Sequence, residues 1–101
     1  MSIRRRLENR RAALSFEIEV GEQHFTATIG RFADGTLAEV FIQNSKPGST
    51  SDAYMRDASI SASLALQHGC PLETLRRALL RDPRGNSSTP LGRALDLASE
   101  L

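Results

Sequence analysis

Apolar and polar residues alternate strictly over residues 14–20, LSFEIEV. This period of two is typical of a strand that buries one of its faces. A second alternating run spans Gln23–Arg31, and the two residues between the runs, Gly21 and Glu22, are enough for a tight turn. The two runs therefore predict an antiparallel hairpin.

A third strand is predicted over residues 37–43, after a turn at Asp34 and Gly35. Asp-Gly pairs supply the positive φ angles that hairpin turns require, and we expect such angles at this pair. The strand is apolar on both faces, with Leu37 and Phe41 on one face and Ala38, Val40 and Ile42 on the other. That pattern predicts either a covered central position in the sheet or contact with another chain.

The apolar period becomes helical from about residue 52 and predicts a first helix over residues 52–68. Gly69 is placed to end this helix in the left-handed conformation. The helix is rich in small side chains: Ala58, Ser59, Ser61, Ala62, Ser63 and Ala65. Small side chains allow a helix to lie close to a sheet or to another helix.

Two more helices follow, each announced by a proline. The second is predicted over residues 71–80, with Cys70 as its N-cap and Pro71 as its first helical residue. Thr89 and Pro90 repeat the same arrangement and predict a third helix. The predicted fold class is α+β, a three-stranded antiparallel meander followed by three α-helices.

The composition is that of one small globular domain, with 101 residues, 40% apolar and 25% charged. A domain of this size buries about 60% of the surface of its unfolded chain, so a protein partner or a homodimer contact would add stability. The single cysteine, Cys70, excludes an internal disulfide, and no apolar run is long enough for a signal sequence or a membrane span. We therefore expect a cytoplasmic protein without a membrane partner.

The N-terminal end is basic although the net charge is only +1. Five arginines lie within eight positions that contain one acidic residue, Glu8: Arg4, Arg5, Arg6, Arg10 and Arg11. We predict a basic arm over residues 1–13 and a single domain over residues 14–101. The arm could neutralise nucleic-acid phosphates, although no aromatic residue is available within it to stack on bases. The alternative is a short helix in which Ile3 and Leu7 pack on the domain and the arginines face solvent or a partner.

Two polar, cationic loops lead into predicted helices, at residues 44–51 and 81–88. Because a helix N-terminus suits an anion, both loops are candidate phosphate sites. The candidate residues are Lys46, Gly48, Ser49, Thr50 and Ser51 in the first loop and Arg81 and Arg84 in the second. A Walker A loop is not indicated, since Lys46 precedes Gly48. The alternative for the first loop is structural, with a turn at Pro47-Gly48 and a hydroxyl or Asp52 capping the helix.

Cys70 is a candidate reactive thiol, since a helix N-terminus can favour a thiolate. The alternative is that Cys70 is a small buried apolar residue. The two histidines, His24 and His68, have no further ligands at metal-binding spacing, so we predict neither a metal nor a cofactor. A pair formed by Cys70 and His68 lacks an evident orienting acid and oxyanion hole, and we predict no catalytic residues.

Three segments occur in a recognisable order: LENRR at 7–11, IGRFADGTLAEVFIQNSKPGST at 29–50 and SLALQHGCPLETL at 63–75. Together they resemble the C-terminal accessory region of adenosylcobalamin-dependent (class II) ribonucleotide reductases, the TSCPD domain family, over about residues 7–80. The motif that names the family falls near residues 87–91, where this chain has Thr89 and Leu91 in place of cysteine and aspartate.

The resemblance implies an accessory module that sits beside the reductase barrel and assists deoxynucleotide supply. It does not imply catalysis, because the radical cysteine, the reducing cysteine pair and the cobalamin-binding barrel belong to other parts of those enzymes. The function predicted first is therefore a non-catalytic accessory or binding module. The alternative is a small phosphate- or nucleic-acid-binding protein that uses the arginine arm and the two cationic loops.

Overall fold

Three strands and three helices make up the fold, which a computed structural model describes over residues 3–9, 12–46 and 48–101. In chain order they are β1 (Ala13–Val20), β2 (Gln23–Arg31), β3 (Leu37–Asn44), α1 (Thr50–Gln67), α2 (Leu72–Ala78) and α3 (Pro90–Ser99). The strands form one antiparallel sheet in the order β1-β2-β3. The predicted α+β class and the predicted order of elements are confirmed.

One face of the sheet is apolar and carries the core. Ala27 of β2 lies opposite Phe16 of β1 on one side and Ile42 of β3 on the other, so the alternating apolar residues meet on a single face. The helices complete a core whose buried members are Ile18, Phe25, Ala27, Ile29, Leu37, Val40, Ile42, Ala62, Leu66, Leu91, Ala94, Leu95 and Ala98. The central strand is β2, as the predicted meander requires. Of the two alternatives for β3, the central position is therefore wrong, and contact with another chain stays a prediction. Phe41, on the opposite face of β3, is 44% exposed.

The turn between β2 and β3 differs in detail from the prediction. Gly35 has a φ of +91°, whereas no non-glycine residue in the described ranges has a positive φ. Asp34 therefore contributes through its side chain, whose Oδ1 accepts from the backbone N–H and the hydroxyl of Thr36. These bonds from Thr36, together with the Arg5 guanidinium, lower the pKa of Asp34 to about 2.

The junction between α1 and α2 corrects the predicted cap. Gly69 has a φ of +94°, as expected, and the Cys70 N–H donates to the Ala65 carbonyl at 3.0 Å. Cys70 thus belongs to the closure of α1 rather than to the start of α2. Pro71, in extended conformation, occupies the N-cap position of α2, and the first helical residue is Leu72. For α3, the predicted cap at Thr89 with Pro90 as the first helical residue is confirmed.

The outer edge of β3 is closed by polar side chains of α1. The Ser63 hydroxyl accepts from Val40 N and donates to Val40 O, both at 3.0 Å. The Ser59 hydroxyl accepts from Ile42 N at 3.1 Å. Both serines are buried, so the backbone of β3 finds partners in α1 where another strand would otherwise pair.

The same contact continues at both ends of β3. Gln67 Nε2 donates to the Ala38 carbonyl at 3.1 Å, and Asp52 Oδ1 accepts from Asn44 N at 3.4 Å. Two residues of a strand advance by about 6.8 Å and four residues of a helix by about 6 Å. Ser59, Ser63 and Gln67, at a spacing of four on α1, therefore lie beside alternate residues of β3.

Candidate functional site

The described part of the arginine arm, residues 3–9, lies against the domain and is not helical, so the predicted short helix is wrong there. Arg5 N donates to the Gln67 carbonyl and Arg4 Nε to Gln67 Oε1, both at 2.7 Å. The Arg5 guanidinium lies 3.0 Å from Asp34 Oδ2 and 3.9 Å from the centroid of the Phe32 ring.

These contacts give two of the five arm arginines partners within the domain. Nucleic-acid binding through Arg4 or Arg5 would have to compete with them. Arg6 is exposed. Arg10 and Arg11 lie outside the described residues.

In the first cationic loop, the carboxylate of Asp52 lies among the backbone N–H groups that an anion would use. Asp52 Oδ2 accepts from Gly48 N at 3.4 Å and from Arg56 Nε at 3.2 Å, while Oδ1 accepts from Asn44 N. Burial raises the pKa of Asp52, but the bonds from Gly48 and Asn44 and the nearby Arg56 outweigh it and lower the pKa overall. The chain therefore supplies its own anion at this helix N-terminus.

The hydroxyl of Ser49 is the N-cap of α1. Its Oγ accepts from Asp52 N at 3.0 Å, which is the structural alternative considered for this loop. Lys46 and Thr50 are exposed, and Ser51 is half-buried. Phosphate binding by Lys46, Thr50 and Ser51 stays a prediction, and Pro47 lies outside the described residues.

The second cationic loop is tied down by Asp96 of α3. Arg81 Nη2 donates to Asp96 Oδ1 at 2.8 Å and Nη1 to Oδ2 at 3.0 Å, so the pair is bidentate. Arg76 Nε also donates to Asp96 Oδ1 at 3.0 Å, and the Ser87 hydroxyl to Oδ2 at 2.5 Å. Arg81 further donates to the carbonyls of Arg76 and Gly85. We call these side chains the Asp96 cluster: Arg76, Arg81, Ser87 and Asp96.

The Asp96 cluster fixes the loop between α2 and α3 to the helix that follows it. The donors of Arg81, predicted to meet a phosphate, are engaged by groups of the domain itself. Arg84 is exposed at the tip of the loop, where its backbone N–H donates to Asp82 Oδ1 at 2.9 Å. The two candidate arginines of this loop thus differ, and Arg84 alone presents its side chain to solvent.

Replacing Asp96 with asparagine is expected to lower the free energy of unfolding by about 1–2 kcal/mol at neutral pH, since it removes a charged acceptor from two arginines. Partial burial raises the pKa of Asp96, but bonds from Arg81, Ser87 and Arg76 hold it well below its ordinary range. Because the pKa of Asp96 is lower in the folded protein than in the unfolded chain, its carboxylate stabilises the fold above the unfolded-state pKa of about 3.9. This stabilisation decreases progressively as the pH falls from that value toward the folded-state pKa.

Urea unfolding of the wild type and the Asp96→Asn variant at about pH 7 and about pH 3 measures this contribution. The difference between the two proteins should narrow at the lower pH. A difference of equal size at both pH values would contradict the role given to the carboxylate. Asp57→Asn, at an exposed position of α1, serves as the control.

Cys70 lines an open groove of about 690 Å³ between the arm, the end of α1 and the helices α2 and α3. Its walls include Ile3, Phe32, Leu72 and Leu101. The thiol is half-buried, and Sγ lies 3.7 Å from the Pro71 carbonyl oxygen. Within the described ranges, no group of three or more His, Cys, Asp or Glu side chains is placed to hold a metal ion.

Comparison with known proteins identifies the family of this chain. The family model described as the TSCPD domain matches residues 3–98. The chain belongs to the TSCPD domain family. In this TSCPD chain, Thr89 caps α3 by accepting from Gly92 N at 3.1 Å. The Thr89 hydroxyl thus has a structural role at the start of α3.

The relatives of this TSCPD domain are parts of much longer proteins. It is 39% identical over 70 residues to the vitamin B12-dependent ribonucleotide reductase of Agrobacterium fabrum, covering 69% of this chain and 6% of that protein. The protein of the same name from Streptantibioticus cattleyicolor is 39% identical to this chain over 72 residues. That from Bradyrhizobium diazoefficiens is 32% identical over 73 residues. These alignments cover 71% and 72% of this chain but 12% and 6% of those proteins. No solved structure gives a significant match.

Among the helices of the described residues, none is both long and apolar enough to cross a membrane.

Proposed function

We propose that this TSCPD chain is a non-catalytic accessory module that binds a protein partner in ribonucleotide reduction, in the cytoplasm. The observation that carries the proposal is the match of about 70% of the chain to a small part, 6–12%, of proteins named vitamin B12-dependent ribonucleotide reductase. The match leaves most of each reductase outside the aligned segment, and this small share supports a binding or positioning role for the chain.

The roles of the polar side chains support the proposal. Ser49, Asp52 and Thr89 are engaged in capping helices, and Arg81 binds Asp96. These contacts stabilise the domain, and none of them requires a substrate. The chemistry available at these positions is therefore that of a scaffold.

The surface of α1 offers a partner an apolar contact. Ile60 is 51% exposed and Leu64 39%, one helical turn apart, and Ile60 shares a shallow groove with Phe41 of β3. Exposed apolar side chains that lie together are typical of a protein-binding surface. We call Phe41, Ile60 and Leu64 the α1 patch.

Affinity capture from the cells that make this chain tests the proposal. The tagged wild-type protein should enrich the vitamin B12-dependent ribonucleotide reductase, identified by mass spectrometry. Ile60→Asp should reduce that enrichment at least about tenfold, because it places a charge in the α1 patch. Ser61→Asp, at the adjacent exposed position, should not. Absence of the reductase from the wild-type capture would contradict the proposed function.

A further inference from the structure

The two edges of the sheet differ in how they are protected. The edge at β3 is closed by side chains of α1, as described above. At the other end of the sheet, β1 pairs with β2 alone among the described strands, over the full length Ala13–Val20 and without a register shift. Regular edge strands without proline or bulges are templates for pairing with another chain.

The register identifies which groups of β1 face outward. Val40, Ile42 and Asn44 direct their N–H groups to α1, so the even-numbered residues of β3 point away from β2. Hydrogen-bonding direction alternates along a strand. The odd-numbered residues of β3 therefore bond to the even-numbered residues of β2, and the odd-numbered residues of β2 bond to the even-numbered residues of β1. This leaves the backbone groups of the odd-numbered residues of β1 pointing outward. These are Ala13, Ser15, Glu17 and Glu19.

We propose that the outer edges of β1 from two copies of this chain pair antiparallel about a two-fold axis at Phe16, making one six-stranded sheet. In this register Ser15 lies opposite Glu17 of the partner copy, and Leu14 lies opposite Ile18 of the partner copy. About eight backbone hydrogen bonds join the outward-facing residues of the two strands. This self-pairing does not depend on the proposed role in ribonucleotide reduction.

Charge favours this register over the one with its axis at Glu17. Moving the axis by one residue, to Glu17, would place the two Glu17 carboxylates directly opposite each other, which is unfavourable in a sheet. With the axis at Phe16, each Glu17 faces a serine hydroxyl that can donate to it. On the apolar face, Leu14, which is 48% exposed, and Phe16, which is half-buried, lie at the junction of the two sheets.

The closed edge at β3 explains why self-pairing stops at two copies. Among its described strands each chain presents one open edge, so pairing through that edge uses the same surface on both copies and closes with two-fold symmetry. A chain with two open edges could extend into a fibre instead. The side chains of α1 that close β3 therefore limit the assembly to a dimer.

Sedimentation equilibrium over a range of concentrations tests the pairing. The wild type should shift from the 11.1 kDa mass of one chain to twice that mass. Ser15→Glu places a carboxylate opposite Glu17 of the partner copy at two symmetric positions, and should weaken dimerisation about tenfold. Gln43→Glu, which adds the same charge to the same sheet face on β3, should leave the dissociation constant unchanged. The double variant Ser15→Glu with Glu17→Lys should restore dimerisation, because the new glutamate then faces lysine.

Hydrogen exchange of the wild type gives a readout that needs no substitution. The amides of Ser15, Glu17 and Glu19 should become protected as the concentration rises, while the amides of the loop between α2 and α3, which already bond within that loop, should not change. A mass of 11.1 kDa at every concentration would overturn the proposal. So would dimers that Ser15→Glu and Gln43→Glu weaken equally, or dimers that form without protection of these three amides.

Discussion

Ser63→Ala is expected to lower the free energy of unfolding by about 2–4 kcal/mol. The Ser63 hydroxyl binds both the N–H and the carbonyl of Val40 at 3.0 Å, in a place where Ser63 is 6% exposed and Val40 fully buried. Alanine cannot replace either bond, and it leaves a buried donor and a buried acceptor on β3 without a partner. The expected loss is larger than that of an ordinary hydrogen bond because two backbone groups lose their partner at once.

Urea unfolding of Ser63→Ala and of Ser61→Ala provides the matched comparison, since Ser61 lies on the exposed side of the same helix. Ser61→Ala should change stability by no more than about 0.5 kcal/mol. Equal stability of the two variants would show that α1 does not close the edge of β3 through Ser63.

Leu95→Ala should destabilise the domain by about 2–5 kcal/mol. Leu95 is fully buried and belongs to the core formed between α3 and the sheet. Removing its branched end takes apolar area out of contact and leaves a cavity, and a core of this size has few other side chains with which to fill it. The alanine itself is compatible with the helix, so the loss reports packing rather than helix propensity.

Leu80→Ala is the control for this change, because Leu80 is 68% exposed and carries the same side chain. Thermal and urea unfolding should show a small change for Leu80→Ala and a large one for Leu95→Ala. Comparable losses in the two variants would contradict the position assigned to α3 on the apolar face of the sheet.

The strands and the third helix were predictable because their signals are local. Alternation over residues 14–20 follows from the period of a strand that buries one face, and the cap formed by Thr89 and Pro90 depends on adjacent residues. The cap predicted at Cys70 failed because the closing turn of α1 extends through that residue, as its bond to Ala65 shows. A proline indicates where a helix can begin, but it does not show where the preceding helix closes.

The closure of the β3 edge by α1 was not predictable, since it depends on contacts between distant residues. Val40 and Ser63 are separated by 23 positions, and Ala38 and Gln67 by 29. The spacing of Ser59, Ser63 and Gln67 does place them on one helical face, and this is the signal that was available. This spacing shows that one face of α1 carries polar side chains. It does not show whether solvent or a strand lies against that face.

The contrast between local signals and distant contacts also applies to the candidate site. A run of arginines predicts a cationic surface, but the partner of Arg5, Asp34, lies 29 positions away, and that of Arg81, Asp96, lies 15 positions away. Whether an arginine is free to bind a phosphate depends on these pairings. The TSCPD family, by contrast, was predictable from three short segments, and the family match extends over residues 3–98.

We propose that this chain is an accessory module whose protein partner belongs to ribonucleotide reduction, and the reductase itself is the first partner to test. The most direct test titrates the labelled chain with the purified vitamin B12-dependent ribonucleotide reductase of its own organism and, in parallel, with single- and double-stranded DNA, at low and near-physiological salt. We expect saturable binding to the reductase that persists at near-physiological salt, weakens in Ile60→Asp and is unchanged in Ser61→Asp. Absence of reductase binding, together with DNA binding that falls steeply with salt, would contradict it and favour the phosphate- or nucleic-acid-binding alternative.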